Sequence, residues 1–320
     1  MYDVVSLGEL LIDFTPNGTN ELGMKLFSQN PGGAPANVLA MFTKLGGKTA
    51  FIGKVGKDEF GQFLAQTISD AGIDTANLVY STDVPTTIAF VHLDETGNRS
   101  FSFYRKPGAD VTLEHGEVDE SLLSNCDIFH FGSVSLTDEP SREATKKSVR
   151  KAKAAGALIS FDPNYRPLLW KDEQSAIKQI KDVLPLVDIL KVSDDELPLL
   201  TGETDLDKGA DQLLSYGASL VTVTLGAEGS FSKNAVASQQ RPAYDVSAID
   251  TTGAGDAFCG AMLYFISDKN KAQLRTMPAE ELGEMLTFAN VAGSLTVTKK
   301  GAIPAMPTKN EIMDAVAGIH

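Results

Sequence analysis

A chain of 320 residues that is 42% hydrophobic can bury a large core, and falls between one big α/β domain and two ordinary ones. Its formal net charge of -14 argues against nucleic acid or an anionic membrane surface as the main partner, because either calls for a basic face, and favours small molecules. Cys126 and Cys259 lie far apart in apolar segments, so they supply neither a disulfide framework nor a Cys-based metal site and fit a reducing compartment.

The chain enters a strand-like stretch at once, with no basic leader, and no apolar run reaches the roughly 20 residues of a membrane span. A soluble cytoplasmic protein is expected. Strands and helices then alternate: strand 4–7, helix 34–45, strand 49–52, helix 59–71, strand 127–131, helix 141–155, strand 158–161, helix 174–184, strand 189–192, helix 207–216, strand 220–224 and helix 257–266. This is the pattern of a doubly wound, mainly parallel sheet with helices on both faces. Several helices end in a glycine, as at Gly46, Gly72, Gly156 and Gly217.

Two stretches break the rhythm. Residues 86–93 and 99–105 are β-rich and flank the turn-rich connector Asp94-Glu95-Thr96-Gly97-Asn98, which predicts a hairpin, and an irregular strand-like piece covers about 11–29. They predict a small discontinuous β lid, 11–32 and 86–106, over a core of 1–10, 33–85 and 107–320. Such a lid suits a reaction that must exclude water, and its exposed edge strands would allow a homodimer.

Near the end of the chain, Asp250-Thr251-Thr252-Gly253-Ala254-Gly255-Asp256 precedes the apolar run that begins Ala257-Phe258-Cys259-Gly260. Small residues at a helix start let backbone N–H groups approach an anion, and the helix dipole adds positive charge. The same N–H groups are expected to hold Asp256 ionised, which suits a carboxylate that takes a hydroxyl proton during phosphoryl transfer. Alone, the string equally describes a tight turn with a capping Asp. A second glycine-rich string, Gly32-Gly33-Ala34-Pro35-Ala36-Asn37, also leads into a helix and offers close backbone approach and an amide for a polyol. Gly47-Lys48-Thr49 is not a phosphate loop, because Phe42 occupies its first glycine position, and no Gly-x-Gly-x-x-Gly follows the first strand.

Together these strings resemble the ribokinase-like, or pfkB-type, carbohydrate kinases. That resemblance implies the ribokinase-like α/β fold, MgATP and a sugar as ligands, and Asp256 as catalytic base with the N–H groups of Gly253, Ala254 and Gly255 stabilising charge. Gly8-Glu9-Leu10-Leu11-Ile12-Asp13 resembles the family's sugar-binding opening, so Glu9, Asp13, Gly32, Gly33 and Asn37 are implied for the sugar. Thr224-Leu225-Gly226-Ala227-Glu228-Gly229 resembles the nucleotide-binding strand end, implying Thr224, Gly226 and Gly229 for ATP, with Lys191, Ser193 and Asn290. Lys191-Val192-Ser193-Asp194-Asp195-Glu196 stands where Asn-x-x-Glu is usual, with Ser193 replacing Asn, and implies that Glu196 acts on Mg²⁺ through water. An acidic helix start would read the same way. The side chain of Asp250 and carbonyls of Thr252, Thr296, Lys299 and Gly301 are implied for a monovalent cation, potassium.

For the sugar, Phe103-Tyr104-Arg105 and Asp162-Pro163-Asn164-Tyr165-Arg166-Pro167 resemble fructokinases of the family, and the second also resembles 2-keto-3-deoxygluconate kinases. Arg105 and Arg166 could serve hydroxyls or a carboxylate. The apolar company of Phe103, read as Ile88 and Phe90, favours phosphorylation of D-fructose to D-fructose 6-phosphate over the keto-acid. Another sugar or nucleoside kinase activity is a further alternative. From a different class, the chain could be a non-catalytic sugar sensor on a kinase scaffold.

Overall fold

Strand segments apolar at nearly every position need cover on both faces, and that is how they are placed in the computed structural model, which describes residues 1–93 and 99–319. The strands are β1 (Tyr2–Leu7), β2 (Leu11–Thr19), β3 (Lys25–Gly32), β4 (Thr49–Gly56), β5 (Asp74–Ser81), β6 (Ile88–Leu93), β7 (Arg99–Tyr104), β8 (Cys126–Gly132), β9 (Leu158–Asp162), β10 (Ile189–Ser193), β11 (Leu220–Thr224), β12 (Ser230–Lys233) and β13 (Ser238–Arg241). Nine form one sheet in the order β13-β12-β11-β10-β9-β8-β1-β4-β5, parallel from β11 to β5 with β12 and β13 antiparallel at one end. The winding direction reverses between β1 and β8, the place where an open α/β sheet leaves a crevice at its strand C-termini.

The pleat divides the core. Ile128, Ile189 and Leu220 pack under the helices Ala34–Lys44, Ala254–Phe265 and Ala279–Thr296. Phe129, Phe131 and Phe161 pack on the other side, against Ser141–Ala155, Glu173–Val183 and Leu206–Ser215. Cys126 and Cys259 are both buried free thiols. Among the described residues no helix is long and apolar enough to cross a membrane.

The expected second β element forms from the two predicted parts of the chain, as a four-stranded sheet in the order β3-β2-β6-β7. The irregular piece is two strands, β2 and β3, and β2 joins the β6–β7 hairpin through a parallel pairing. The connector Asp94–Asn98 lies outside the described residues. An aromatic face holds this sheet together: Phe14 stacks on Phe90 at 4.9 Å, Phe27 meets Phe90 edge-on at 5.3 Å, and Phe60 from the helix Glu59–Asp70 meets Phe14 at 5.8 Å. Asp58 roots the hairpin, capping its helix through the Gly61 N–H and accepting from the N–H and hydroxyl of Thr86.

Several features differ from the sequence expectation, the unpredicted strands β5, β12 and β13 among them. The Asp256 helix starts at Ala254 rather than 257, because Gly253 takes a left-handed φ of 78° and is its N-cap, which brings Ala254, Gly255 and Asp256 into the first turn. The 18-residue helix Ala279–Thr296 has no predicted counterpart, since it is buried around most of its circumference and shows no polar stripe.

The helices Ala34–Lys44 and Ala254–Phe265 touch backbone to backbone at Gly260, where a Cβ would lie 2.5 Å from the Val38 carbonyl oxygen and 2.7 Å from the Met41 Cβ. Gly260→Ala is therefore expected to destabilise the protein by about 1–3 kcal/mol. Gly116→Ala, where a Cβ meets nothing within 4 Å, should stay within about 0.5 kcal/mol of wild type. Urea unfolding of the two variants checks this, and equal midpoints would contradict the close helix contact.

Candidate active site

The helix contact at Gly260 sets Asn37 opposite Asp256, 219 positions apart in sequence. The Asn37 amide donates to one oxygen of Asp256 at 2.8 Å, and the Asn164 amide donates to the other at 3.3 Å. Asn164 reaches it because the chain after β9 takes a φ of 45° there, a conformation that Asn tolerates better than most side chains. Asp256 is buried, and burial pushes its carboxyl above the ordinary 3.8 although the Asn37 bond opposes the shift. This corrects the expectation that helix N–H groups hold it ionised: its partners are two side-chain amides, and desolvation dominates. In the first turn the Ala254 N–H makes a long 3.4 Å bond to the Thr251 carbonyl. Gly253 must be glycine twice over, for its φ and because a Cβ would lie 2.6 Å from that of Ala302.

Beneath Asp256 lies a buried ion pair that sequence reading only half found. Lys191 on β10 donates to Asp162 at the end of β9 at 2.9 Å, and both are buried. Burial works against the Lys191 charge, but Asp162 and Glu196 overcome it and raise its pKa. A Cβ on Gly255 would lie 3.4 Å from the Lys191 ammonium, so that charge sits beside the first turn of the Asp256 helix. Glu196 is also buried, its carboxyl raised by desolvation and by Asp162. Its oxygens accept from the backbone N–H groups of Tyr165 (2.6 Å) and Ser193 (2.8 Å), while the Ser193 hydroxyl accepts from the Glu196 N–H at 3.2 Å. Ser193 thus does local capping work in the place of the usual Asn.

On the small sheet, Asp13 and Phe103 stand in one cross-strand row through Ala89, so they share a face. Ile88 and Phe90 lie on the opposite face, which corrects the expectation that they accompany Phe103. Burial pushes the Asp13 carboxyl up to about 6, with Arg166 opposing and Asp256 adding to the rise. A Cβ on Gly32 would lie 2.2 Å from the Asp13 carboxylate, and one on Gly33 (φ 127°) 2.4 Å from the Glu9 carbonyl oxygen. Glu9 accepts from the Ala34 N–H at 3.0 Å with one oxygen; its other oxygen and the Asn37 side-chain oxygen are buried and unpartnered. The two arginines part company. Arg105 is buried and donates to Asp110 (2.7 Å), Thr137 (2.8 Å) and the Val134 carbonyl (3.1 Å), tying down the end of the hairpin. Arg166 is exposed, and its guanidinium makes a long 3.4 Å contact to the Tyr165 carbonyl.

Beyond Lys191 opens a cavity of about 870 Å³, lined by Lys191, Ser193, Glu196, Thr224, Gly226, Gly229 and Asn290 together with Ala254, Gly255 and Phe258 of the Asp256 helix. It joins a positive helix start and an ammonium to apolar walls at Val246 and Val297, which fits a nucleotide with its phosphates toward Gly255. Asn290 lines it but turns its amide inward, accepting from Ser230 and donating to the carbonyls of Arg241 and Pro242. Asp250 clasps two loops, accepting from the N–H and hydroxyl of Thr252 and from the Gly301 N–H. The Ile249 and Asp250 N–H groups also donate to the Val297 carbonyl, so this segment lies against the chain around Val297 and Gly301. Among the described residues no group of three or more His, Cys, Asp or Glu side chains could hold a metal.

The sequence pattern of the pfkB family carbohydrate kinases matches residues 1–309, and the chain belongs to that family. It is 42% identical to probable fructokinase-4 of Arabidopsis thaliana, an alignment covering 98% of this chain and 97% of the relative. Among solved structures it resembles a fructokinase of Xylella fastidiosa with bound ATP, with a TM-score of 0.92, 35% identity and coverage of 100% of this chain and 99% of the other. It also resembles a Vibrio cholerae O395 fructokinase bound to fructose, ADP and calcium, with a TM-score of 0.87, 34% identity and 98% of each chain covered.

Glu9 gives a test of the site's electrostatics in the protein without ligands. Burial raises its carboxyl from 4.5 to about 7, so the folded state holds a proton that the unfolded chain releases, and stability falls as pH rises through that window. Glu9→Gln keeps the acceptor for Ala34 and removes the titration. It is expected to flatten the loss of stability between pH 5 and 7 and to stabilise the protein at pH 8, measured by urea unfolding. A variant no more stable than wild type at pH 8 would contradict the burial cost.

Proposed function

We propose that this kinase transfers the γ-phosphoryl group of ATP to the primary hydroxyl of D-fructose, giving D-fructose 6-phosphate, with Asp256 as the base. The observation that carries this reading is the buried Asp256 carboxylate, held by Asn37 and Asn164 next to the cavity that Asn164 and Gly255 line, with Asp13 of the small sheet close enough to feel its charge. The names of the plant relative and of the fructose-bound bacterial structure favour fructose as the sugar.

The sugar lies on Asp13, Gly33, Asn37 and Arg166, with Glu9, Gly32, Phe103 and Arg105 behind them. As the sugar oxygen bonds to the γ-phosphorus, its proton passes to Asp256, and the phosphorus–oxygen bond to ADP breaks with its electron pair leaving on ADP. A carboxyl raised above 3.8 is a better base for this than an ordinary aspartate. The N–H groups of Gly253, Ala254 and Gly255, with Lys191, face the charge that develops.

Magnesium, when bound, neutralises phosphate charge. The residues fit one held mainly by nucleotide and water, with Glu196 in the outer layer, since its oxygens already accept backbone N–H groups. A potassium ion would be held by carbonyls of Thr252, Thr296, Lys299 and Gly301 beside Asp250. The small sheet, whose described parts are residues 11–32, 86–93 and 99–106, serves as the lid that excludes water. Its edge strands β3 and β7, near exposed Leu22, Met24 and Tyr104, leave backbone groups for a homodimer in the cytoplasm.

One observation favours a second reading: the open guanidinium of Arg166 would also hold the carboxylate of 2-keto-3-deoxygluconate. ADP release with MgATP and potassium across fructose, the keto-acid, ribose, glucose and adenosine separates the two. Turnover is expected on fructose, and Asp256→Asn should lower kcat by about 10²–10⁴-fold without unfolding the protein. A preference for the keto-acid would make Arg166 a carboxylate clamp. Near-normal turnover of Asp256→Asn would remove the base, and silence on every sugar would return the chain to a sensing role.

A further inference from the structure

We infer that Asp162 and Asn164 are positioning residues for the base, forming a relay in which Asp162 fixes the turn that aims the Asn164 amide at Asp256. The inference rests on the reading of Asp256 as base and adds how that base is held. One oxygen of Asp162 accepts the Asn164 backbone N–H at 3.1 Å, inside the left-handed turn that carries Asn164. The other oxygen accepts from the buried Lys191 at 2.9 Å. From that turn the Asn164 amide donates to Asp256 at 3.3 Å, on the oxygen that Asn37 does not hold. Asp162, at the end of β9, therefore joins the turn that carries Asn164 to the ammonium of Lys191 on β10, one oxygen to each. Neither residue needs to touch the sugar or the nucleotide to act.

The relay also works on the charge of the base, in two opposite directions. The Asp162 carboxylate is a like charge near Asp256 and disfavours its ionised form. The Asn164 amide donates to the ionised form and favours it. The other charged or titratable groups facing Asp256 are Lys191 on β10, Arg166 in the loop after β9, Asp13 on β2, and Cys259 one turn along its own helix. Glu196 and His130 bear on the Asp162–Lys191 pair rather than directly on the base.

The test is the pH dependence of kcat/KM for the sugar substrate, fructose, in Asp162→Asn and Asn164→Gly, with wild type and Asp256→Asn alongside. The glycine keeps the positive-φ turn without strain and deletes only the amide. Both variants are expected to lose kcat on the order of 10- to 100-fold with KM for the sugar little changed. The acid limb should move to lower pH in Asp162→Asn, where the like charge is gone, and to higher pH in Asn164→Gly, where the donor is gone. A purely structural role would lower the unfolding midpoint and leave both limbs in place, and limbs that stay or move together overturn the relay. If Asp162→Asn does not fold, Asn164→Gly decides alone: wild-type kcat with an unmoved limb overturns it. Retained turnover in Asp256→Asn instead brings down the base assignment itself, so the two failures are told apart.

Discussion

A carboxylate taken out of water must gain other partners or take up a proton, and at Asp256 the two tendencies are set against each other. Burial raises its pKa, while the Asn37 amide and the charges of Lys191 and Arg166 pull it back. The outcome is a carboxylate more basic than an exposed aspartate yet held in place by amides that cannot themselves ionise. Both amides come from distant parts of the chain, one from the helix Ala34–Lys44 and one from the loop after β9. The site therefore exists only if those parts are brought within hydrogen-bonding reach of the helix Ala254–Phe265.

Several packing features serve that requirement. Gly260 removes the side chain that would hold the two helices apart, and Gly253 turns the chain into the Asp256 helix against Ala302. The parallel sheet ends Asp162 and Lys191 at adjacent strand C-termini, on the face covered by these helices, next to the reversal of winding between β8 and β1. The small sheet then brings Asp13 within electrostatic reach of Asp256, anchored by Asp58 at one root of the hairpin and by the Arg105–Asp110 pair at the other. Arg105 and Arg166, alike in sequence, end in different roles because one is buried against a carboxylate and the other lies open to solvent.

The alternation of apolar strands with amphipathic helices made the α/β core readable, and glycine-rich strings marked both helix starts at the site. What could not be read is instructive. The helix Ala279–Thr296 is apolar nearly all round, so periodicity has no polar face to detect, and the polar strands β12 and β13 resemble loop. The Asp162–Lys191 pair joins residues 29 apart on neighbouring strands, and only the register of the sheet reveals it. Asp256 sits where a helix start should lower its pKa, and the opposite shift arises from burial, which is a property of the whole packing. Asn290 lines the nucleotide cavity as its position in the sequence suggests, but its amide braces β12 and the loop after β13 instead.

The balance between burial and amide donation at Asp256 can be read directly. Carbon-13 NMR of protein labelled at the aspartate carboxyl carbons, with Asp256→Asn used to assign the signal, follows the titration of this one group without sugar or nucleotide. A midpoint above 3.8 is expected, because desolvation outweighs its hydrogen bonds. A midpoint at or below 3.8 would mean that the helix start and the amides dominate, and the picture of a desolvated base would fail.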